Sequence, residues 1–304
     1  MATICQIGCG MIGKVMALDI SKKHDLHLSD LDESTLKEVK TLDPTIKTKC
    51  FNVNDSDMLK SFLKPADIVL LAVPGYMGYK LLEKIIELKK NIVDISFSPE
   101  NILSLDKKAK DNNITVIFDA GLAPGIPNFL LGNINAKENV KSFKYFVGGL
   151  PKDPKPPYYY KAPFSPIDVV EEYTRPARIM KNGKVITKPA LTDIEEKVYQ
   201  NTGMLEGFNT DGLRSILYTM KHIPNMVEKT LRFPGHAKLI SKEIESGKII
   251  PGDKSNLQRL FKIWKLLPDE LEFTILDVII ETEESTHNYL SLIHISEPTR
   301  RTII

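Results

Sequence analysis

No apolar run in this chain approaches the ~20 residues that span a bilayer, so no membrane partner is expected. Cysteine is scarce. Only Cys5, Cys9 and Cys50 occur, all in the first fifth, and their spacing suits neither a zinc site nor a disulfide framework. A reduced, cytoplasmic setting follows as the expectation. An excess of one charge sign is also missing. The 41 Lys and Arg against 39 Asp and Glu leave a formal net charge of +2, which gives no reason to expect a nucleic-acid partner. His, Cys, Asp and Glu are nowhere clustered at metal-ligand spacing, so no metal is expected. Neither Gly-x-Ser-x-Gly nor a Cys–His arrangement suggests covalent catalysis. Met1 leads straight into a strand pattern, so no signal peptide is expected.

What is there is ordinary globular material: 304 residues, 42% hydrophobic and 26% charged, enough for one large or two ordinary domains. The first part alternates strand and helix. Apolar Ala2–Ile7 reads as a buried strand, Met11–Ser21 as a helix, and Leu26–Ser29 as a second strand ending at Asp30. Ser34–Leu42 reads as a helix capped by Ser34, and Lys49–Val53 as a short strand. Ala66–Val73 is a near-continuous apolar run, as expected of a central parallel strand. A helix over Met77–Lys89, a strand over Asn91–Ile95, a helix over Leu103–Asp111 and a strand over Ile114–Phe118 complete the series. This pattern predicts an α/β, doubly wound Rossmann domain with a parallel sheet over residues 1–123.

The pattern then changes. Pro124-Gly125 opens an apolar helical stretch, Ile126–Ile134, as a hinge or an ordinary helix start. Val140–Val147 reads as a strand. Ser165-Pro166 reads as a cap and first turn of a helix to about Glu172. Ala177–Lys181, Asn182-Gly183 and Lys184–Lys188 form a hairpin signal, because Asn-Gly suits a type I′ turn. Glu228–Phe233 and Glu272–Glu281 read as further strands. An α+β substrate and dimerisation domain with a mixed sheet is expected over residues 124–290. Ser291–Ile304 does not continue the strand pattern and reads as a non-native tail.

The strongest local signal is Gly8-Cys9-Gly10-Met11-Ile12-Gly13, placed after a strand and opening a helix. Gly8 permits a tight turn, Gly10 lets the backbone approach a pyrophosphate, and Gly13 permits close helix–strand packing. The N–H groups of the helix start, from Met11 and Ile12, favour a phosphate. Asp30 stands 17 residues after Gly13, near the spacing of a ribose-binding carboxylate. No arginine follows it, which favours NAD, with NADP the alternative. Ala72, Val73 and Pro74 lie at the carboxyl edge of the sheet and either line the cofactor or form a plain turn. Asp55 reads as an exposed loop acid, with an adenine contact the alternative.

Dehydrogenation of a small acid by a nicotinamide needs a base for the substrate proton and a cation for the carboxylate. In Glu228–His236, a strand places Thr230 and Arg232 on one face and Lys229, Leu231 and Phe233 on the other. Arg232 is a candidate carboxylate clamp and Arg175 a second one. His236, at a helix start, and Lys229 are the candidate catalytic bases. The bland alternative is a solvated strand with a capping His. Asp211, in Thr210-Asp211-Gly212, reads as a helix N-cap or a substrate contact. Glu206 and the Tyr158–Lys161 cluster are weaker candidates.

Several motifs converge on one family. GCGMIG (Gly8–Gly13), AVPGYMG (Ala72–Gly78), DAGLAPGIPN (Asp119–Asn128), VGGLP (Val147–Pro151), TDGLRSILYT (Thr210–Thr219) and EKTLRFPGH (Glu228–His236) together resemble the saccharopine dehydrogenase family. The last two most resemble its lysine 6-dehydrogenase branch. The resemblance runs from about Thr3 to Glu284. It implies an NAD(P)-dependent oxidoreductase acting on the C–N bond of lysine or a lysine-derived secondary amine such as saccharopine, and a cytoplasmic homodimer is expected. A carboxynorspermidine dehydrogenase-like reductase and a non-catalytic NAD-binding protein are the alternatives. Family members usually continue past the strand matching Leu271–Glu283, where this chain carries the odd tail.

Overall fold

The computed structural model describes residues 1–162, 166–200, 202–267 and 269–293. They form two compact units divided after Gly125, two residues beyond the expected boundary.

The first unit runs β1 (Thr3–Ile7), α1 (Met11–Ile20), β2 (Asp25–Asp30), α2 (Glu33–Leu42), β3 (Lys47–Cys50), α3 (Ser56–Leu63), β4 (Ile68–Leu71), α4 (Gly75–Glu87), β5 (Asn91–Asp94), α5 (Asp106–Asp111) and β6 (Val116–Ile117). Its six strands are all parallel, in the order β3-β2-β1-β4-β5-β6. The order reverses between β1 and β4, and in open α/β sheets a ligand crevice lies outside the carboxyl ends at that point. The register aligns Ser29, Ile7, Leu71 and Asp94 as one row just below that edge. Two apolar clusters hold the sheet: Val69, Leu71, Leu82 and Ile85 in one, Leu28, Leu36, Val39 and Ile46 in the other.

Helix α3 is not in the pattern read above. Leu59, Phe62 and Leu63 bury one short stripe. The Asp55 carboxylate, read above as an exposed loop acid, caps the helix by accepting from the N–H groups of Asp57 and Met58, worth about 1 kcal/mol. At α2 the cap is likewise Asp32, which accepts from Ser34, and not Ser34 itself.

The second unit runs α6 (Ile126–Asn135), β7 (Val140–Pro151), α7 (Pro166–Thr174), β8 (Ala177–Lys181), β9 (Lys184–Lys188), β10 (Glu195–Tyr199), β11 (Gly203–Asn209), α8 (Ile216–Thr219), β12 (Asn225–Arg232), α9 (His236–Glu245), α10 (Lys254–Trp264), β13 (Glu272–Thr282) and β14 (Thr286–Ile293). The mixed sheet has the order β10-β11-β12-β7-β13-β14, with β12 and β7 parallel and the other neighbours along that path antiparallel. The β8–β9 hairpin forms as patterned, and Asn182 and Gly183 both take the positive φ that a type I′ turn requires. Helices α7, α9 and α10 bury Tyr173, Ile240, Leu260 and Trp264 together with Tyr158, Tyr160 and Phe208. Tyr158 and Tyr160 of the Tyr158–Lys161 run are therefore core, while Tyr159 is exposed.

Four elements are new and one expectation changes. The elements β10, β11, α10 and β14 were not predicted, since their strands alternate weakly and carry many charges. Ser291–Ile293 do not lie outside the fold: they end β14 and pair with Thr274–Leu276. The expected cap Ser165 and residues 294–304 of the expected tail lie outside the described residues.

Candidate functional site

The glycine turn follows directly from β1. Gly8 has φ +102°, and its N–H donates to the Ser29 carbonyl at 2.9 Å. A Cβ at Gly8 would lie 2.2 Å from the Ala72 carbonyl oxygen, and one at Gly13 would lie 2.4 Å from that of Gly8. Both glycines are thus demanded by close backbone approach. Gly10 differs, because a Cβ there meets nothing within 4 Å. It faces open space at the start of α1, whose N-cap, Gly10 itself, has no side chain to satisfy the first-turn N–H groups. Met11 and Ile12 are exposed at that start.

Sequence reasoning overlooked Gln6. It is fully buried, and its Nε2 donates to the carbonyls of Gly8 and Gly13 at 2.9 and 2.7 Å, stapling the turn from below. A buried amide inside an otherwise apolar strand was the signal. Asp30 ends β2 as expected. Its carboxylate accepts from the Cys9 N–H at 2.6 Å and the Asp32 N–H at 2.9 Å, so it braces the loop instead of standing solvated. Burial pushes the neighbouring Cys9 thiol up to about 12, which makes it inert. Ala72 is hydrogen-bonded to Ile7, its carbonyl packs on Gly8, and Pro74 caps α4. Ala72–Pro74 are therefore both a structural turn and a wall of the loop. Open space at Gly10, uncapped N–H groups and a fixed carboxylate 21 residues from Cys9 fit the pyrophosphate and ribose of a dinucleotide.

Of the second unit's candidates, Arg232 and His236 meet at the Tyr173 hydroxyl, while Lys229 stands apart. Strand alternation puts Lys229 and Arg232 on opposite faces, and each is already partnered. Arg232 is 1% exposed. Its Nε donates to the Tyr173 hydroxyl at 2.8 Å, Nη1 to the Leu231 carbonyl at 2.8 Å and Nη2 to Glu172 at 3.0 Å, with the guanidinium over the Tyr160 ring. It is a core cation and not an open clamp. His236 does start α9, but its Nδ1 lies 2.8 Å from the Tyr158 carbonyl and its Nε2 2.9 Å from the Tyr173 hydroxyl. A carbonyl only accepts, so Nδ1 carries the proton and Nε2 accepts from the tyrosine. Burial, with Arg232 beside it, drives the His236 pKa down to about 3. The imidazole is neutral and sealed, which removes it as a general base.

Lys229 is buried between Glu195, 3.0 Å away, and the Asp193 carbonyl. Arg175 pairs with Glu171, one turn back on α7, at 3.3 Å. Asp211 caps no helix, since α8 begins only at Ile216. Its Oδ1 accepts from the backbone and Nε of Arg178, and its Oδ2 from Arg178 Nη2 and Arg214 Nη1, both at 2.8 Å. Among the described residues no group of three His, Cys, Asp or Glu could hold a metal ion, and no helix is long and apolar enough to cross a membrane.

A family model described as the saccharopine dehydrogenase C-terminal domain matches residues 121–301, and one described as the saccharopine dehydrogenase NADP binding domain matches residues 4–117. The chain belongs to the saccharopine dehydrogenase family. Among its relatives, the mitochondrial alpha-aminoadipic semialdehyde synthase of Mus musculus is 27% identical over 223 residues, which cover 66% of this chain and 24% of that protein. The saccharopine dehydrogenase [NADP(+), L-glutamate-forming] of Pyricularia oryzae is 27% identical over 208 residues, 64% of this chain and 46% of that protein. The chain therefore spans less than half the length of these curated relatives. The solved saccharopine dehydrogenase (L-Glu forming) of Saccharomyces cerevisiae has the same fold, with a TM-score of 0.72 at 16% identity, over 96% of this chain and 85% of that one.

In this family member the Thr210–Gly212 and Glu228–Arg232 segments build one buried polar chain, a feature sequence reasoning missed. Thr210 Oγ1 lies 2.6 Å from Glu228 Oε2 and 2.8 Å from Thr230 Oγ1, and Thr230 Oγ1 donates to Glu172 at 2.5 Å. Each hydroxyl has one proton to give. Thr210 donates to Glu228 and Thr230 to Glu172, which leaves the 2.8 Å contact between the two hydroxyls without a hydrogen; a protonated Glu228 that donated to Thr210 would free Thr210 to donate to Thr230. Protonation of Glu228 therefore gives every contact of the chain a hydrogen. Burial pushes the Glu228 pKa up to about 8, in the same sense. Gly212 makes room, since a Cβ there would lie 2.6 Å from the Glu228 carboxyl carbon.

Proposed function

We propose that the chain is an NAD(P)-dependent oxidoreductase acting on the C–N bond of an amino acid of the lysine or saccharopine type. The observation that carries this reading is the Gly8–Gly13 turn with its open space at Gly10, in a chain whose two parts match the two saccharopine dehydrogenase domains in order. When bound, the nicotinamide supplies hydride transfer. The chain's own residues bind and orient. The first turn of α1 would hold the pyrophosphate, and Asp30 would fix the loop and face the ribose. The names of the matched domain and of the Pyricularia relative favour NADP, whereas Asp30 followed by Leu31 and Asp32 favours NAD.

With Arg232 sealed and Arg175 paired, Arg178 becomes the candidate for a substrate carboxylate. Its side chain is 29% exposed. Of its five N–H donors, Nε and one Nη2 hydrogen go to Asp211 and one Nη1 hydrogen to the Tyr218 hydroxyl, leaving two. A homodimer in a reducing, cytoplasmic setting completes the reading, consistent with three free cysteines, and light scattering tests the dimer.

A second reading, nucleotide binding without turnover, is favoured by the burial of Arg232 and His236 around Tyr173 and by the separation of Lys229 from them. Reduced-nucleotide formation with a panel of lysine, saccharopine and related amines decides between them. Turnover with one of them supports the first reading. Nucleotide binding with no turnover on any supports the second.

A further inference from the structure

The β8–β9 hairpin leaves the mixed sheet almost at once. It touches β12 through a single pair, Met226 with Met180, and is pinned at its tip by the Asn182 N–H on the Asn225 side chain and the Gly183 N–H on the Pro224 carbonyl. The hairpin therefore stands off from β7 and β12 and encloses a wedge of about 300 Å³, at the small end of ligand sites. Phe143, Ile179, Met180, Met226 and Val227 give it an apolar lining.

Its charges are unbalanced. Lys144, Lys181, Lys188 and Lys229 line it against only Asp193 and Glu195. Both carboxylates are already used. Glu195 is bridged between Lys144, at 2.7 Å, and Lys229, at 3.0 Å. Asp193 takes Lys188 and the Asn209 amide. Lys181, exposed at the rim, has no ion-pair partner among the described residues. Four cations less two anions leave two positive charges around an apolar wedge. The buried Asn209 beside them retains a carbonyl oxygen without a donor. A structural role explains the Lys144–Glu195–Lys229 bridge, which ties β10 to β7 and β12, but it does not explain the unpartnered Lys181 or the open volume.

We propose that this wedge is a binding site for a small aliphatic dicarboxylate. The carbon skeleton would lie on Met180, Met226 and Val227, and the carboxylates would neutralise the excess at Lys181 and at Lys144 and Lys229, which share Glu195. The site draws on no residue of the glycine loop and does not depend on the proposed activity.

The test is calorimetric titration of the full chain, without nucleotide, using glutarate as probe, with butyrate and inorganic phosphate as comparison anions. Glutarate should bind saturably at one site, at least tenfold more tightly than butyrate, which keeps the chain but loses one charge. Lys181→Gln, an exposed position whose loss leaves folding intact, should weaken glutarate at least fivefold, and Lys144→Gln should do the same. Three results overturn the proposal: no saturable glutarate binding, equal affinity for phosphate, which would mark a bare anion patch, or unchanged affinity in a folded Lys181→Gln protein. None of these bears on whether the chain binds or turns over a dinucleotide.

Discussion

Replacing Glu228 by Gln should make the protein more stable as pH rises. In the native state the carboxyl is 2% exposed and its pKa is pushed up to about 8 by burial, from an ordinary 4.5. Between these values the folded state holds a proton that the unfolded chain has lost, so stability falls as pH rises through that window. From pH 5 to pH 8 the loss is up to 3 pH units, at about 1.4 kcal/mol each, or about 4 kcal/mol as a ceiling. The hydrogen-bond chain adds to the effect. Once Glu228 ionises it accepts the Thr210 proton, and Thr210 and Thr230 then face each other at 2.8 Å with no hydrogen between them. Gln keeps the shape and a donor and cannot ionise. Urea unfolding at pH 5, 7 and 9 should give a stability difference, Glu228→Gln minus wild type, that grows by a few kcal/mol toward pH 9. A difference constant to within about 1 kcal/mol across that range would mean that Glu228 is ionised throughout, and the proton assignment would be wrong.

The same experiment on His236 should show the opposite slope. Its native pKa of about 3 lies below the ordinary 6.5, so stability is intact above pH 6.5 and drains away as pH falls. His236→Gln should remove about 3 kcal/mol of the loss between pH 6.5 and 4.5, and an unchanged acid limb would show that the ring is accessible after all. Gly13→Ala should destabilise by 2 kcal/mol or more, on the order of an overpacked core, because its Cβ would strike backbone; a thermal melt within 2 °C of wild type contradicts the packing described. Asp30→Ala should weaken NADH more than NADPH, read by fluorescence titration, since the carboxylate repels a 2′-phosphate. Equal loss for both would reduce Asp30 to its role as a loop brace.

The doubly wound unit was legible because buried parallel strands are continuous apolar runs, as in Ala66–Val73, and because the glycine turn sits at a strand-to-helix junction. The hairpin at Asn182-Gly183 was legible for a similar reason: its turn chemistry is local. The second sheet was not, because β10 and β11 carry charges such as Glu195 and Lys197 whose partners, Lys144 and Asp277, lie 51 and 80 residues away. The same limit governed the candidate site. Strand alternation correctly placed Lys229 and Arg232 on opposite faces, but no pattern in the sequence shows that Tyr173 joins Arg232 to His236 and seals both. Arg178 was overlooked because its importance comes from Asp211, 33 residues on. Gln6, by contrast, stood in plain view, as the one amide of β1.

The central claim is that Gly8–Gly13 is a dinucleotide site, and Gly10→Ala tests it most directly, because a Cβ there meets no protein atom within 4 Å yet enters the space assigned to the pyrophosphate. Calorimetric titration of NADPH and NADH into wild type and Gly10→Ala, with matched urea unfolding, separates fold from ligand. The account predicts stability changed by no more than about 1 kcal/mol and nucleotide affinity reduced at least tenfold. Wild-type protein that binds neither nucleotide, or a Gly10→Ala protein that binds as tightly as wild type, would contradict it.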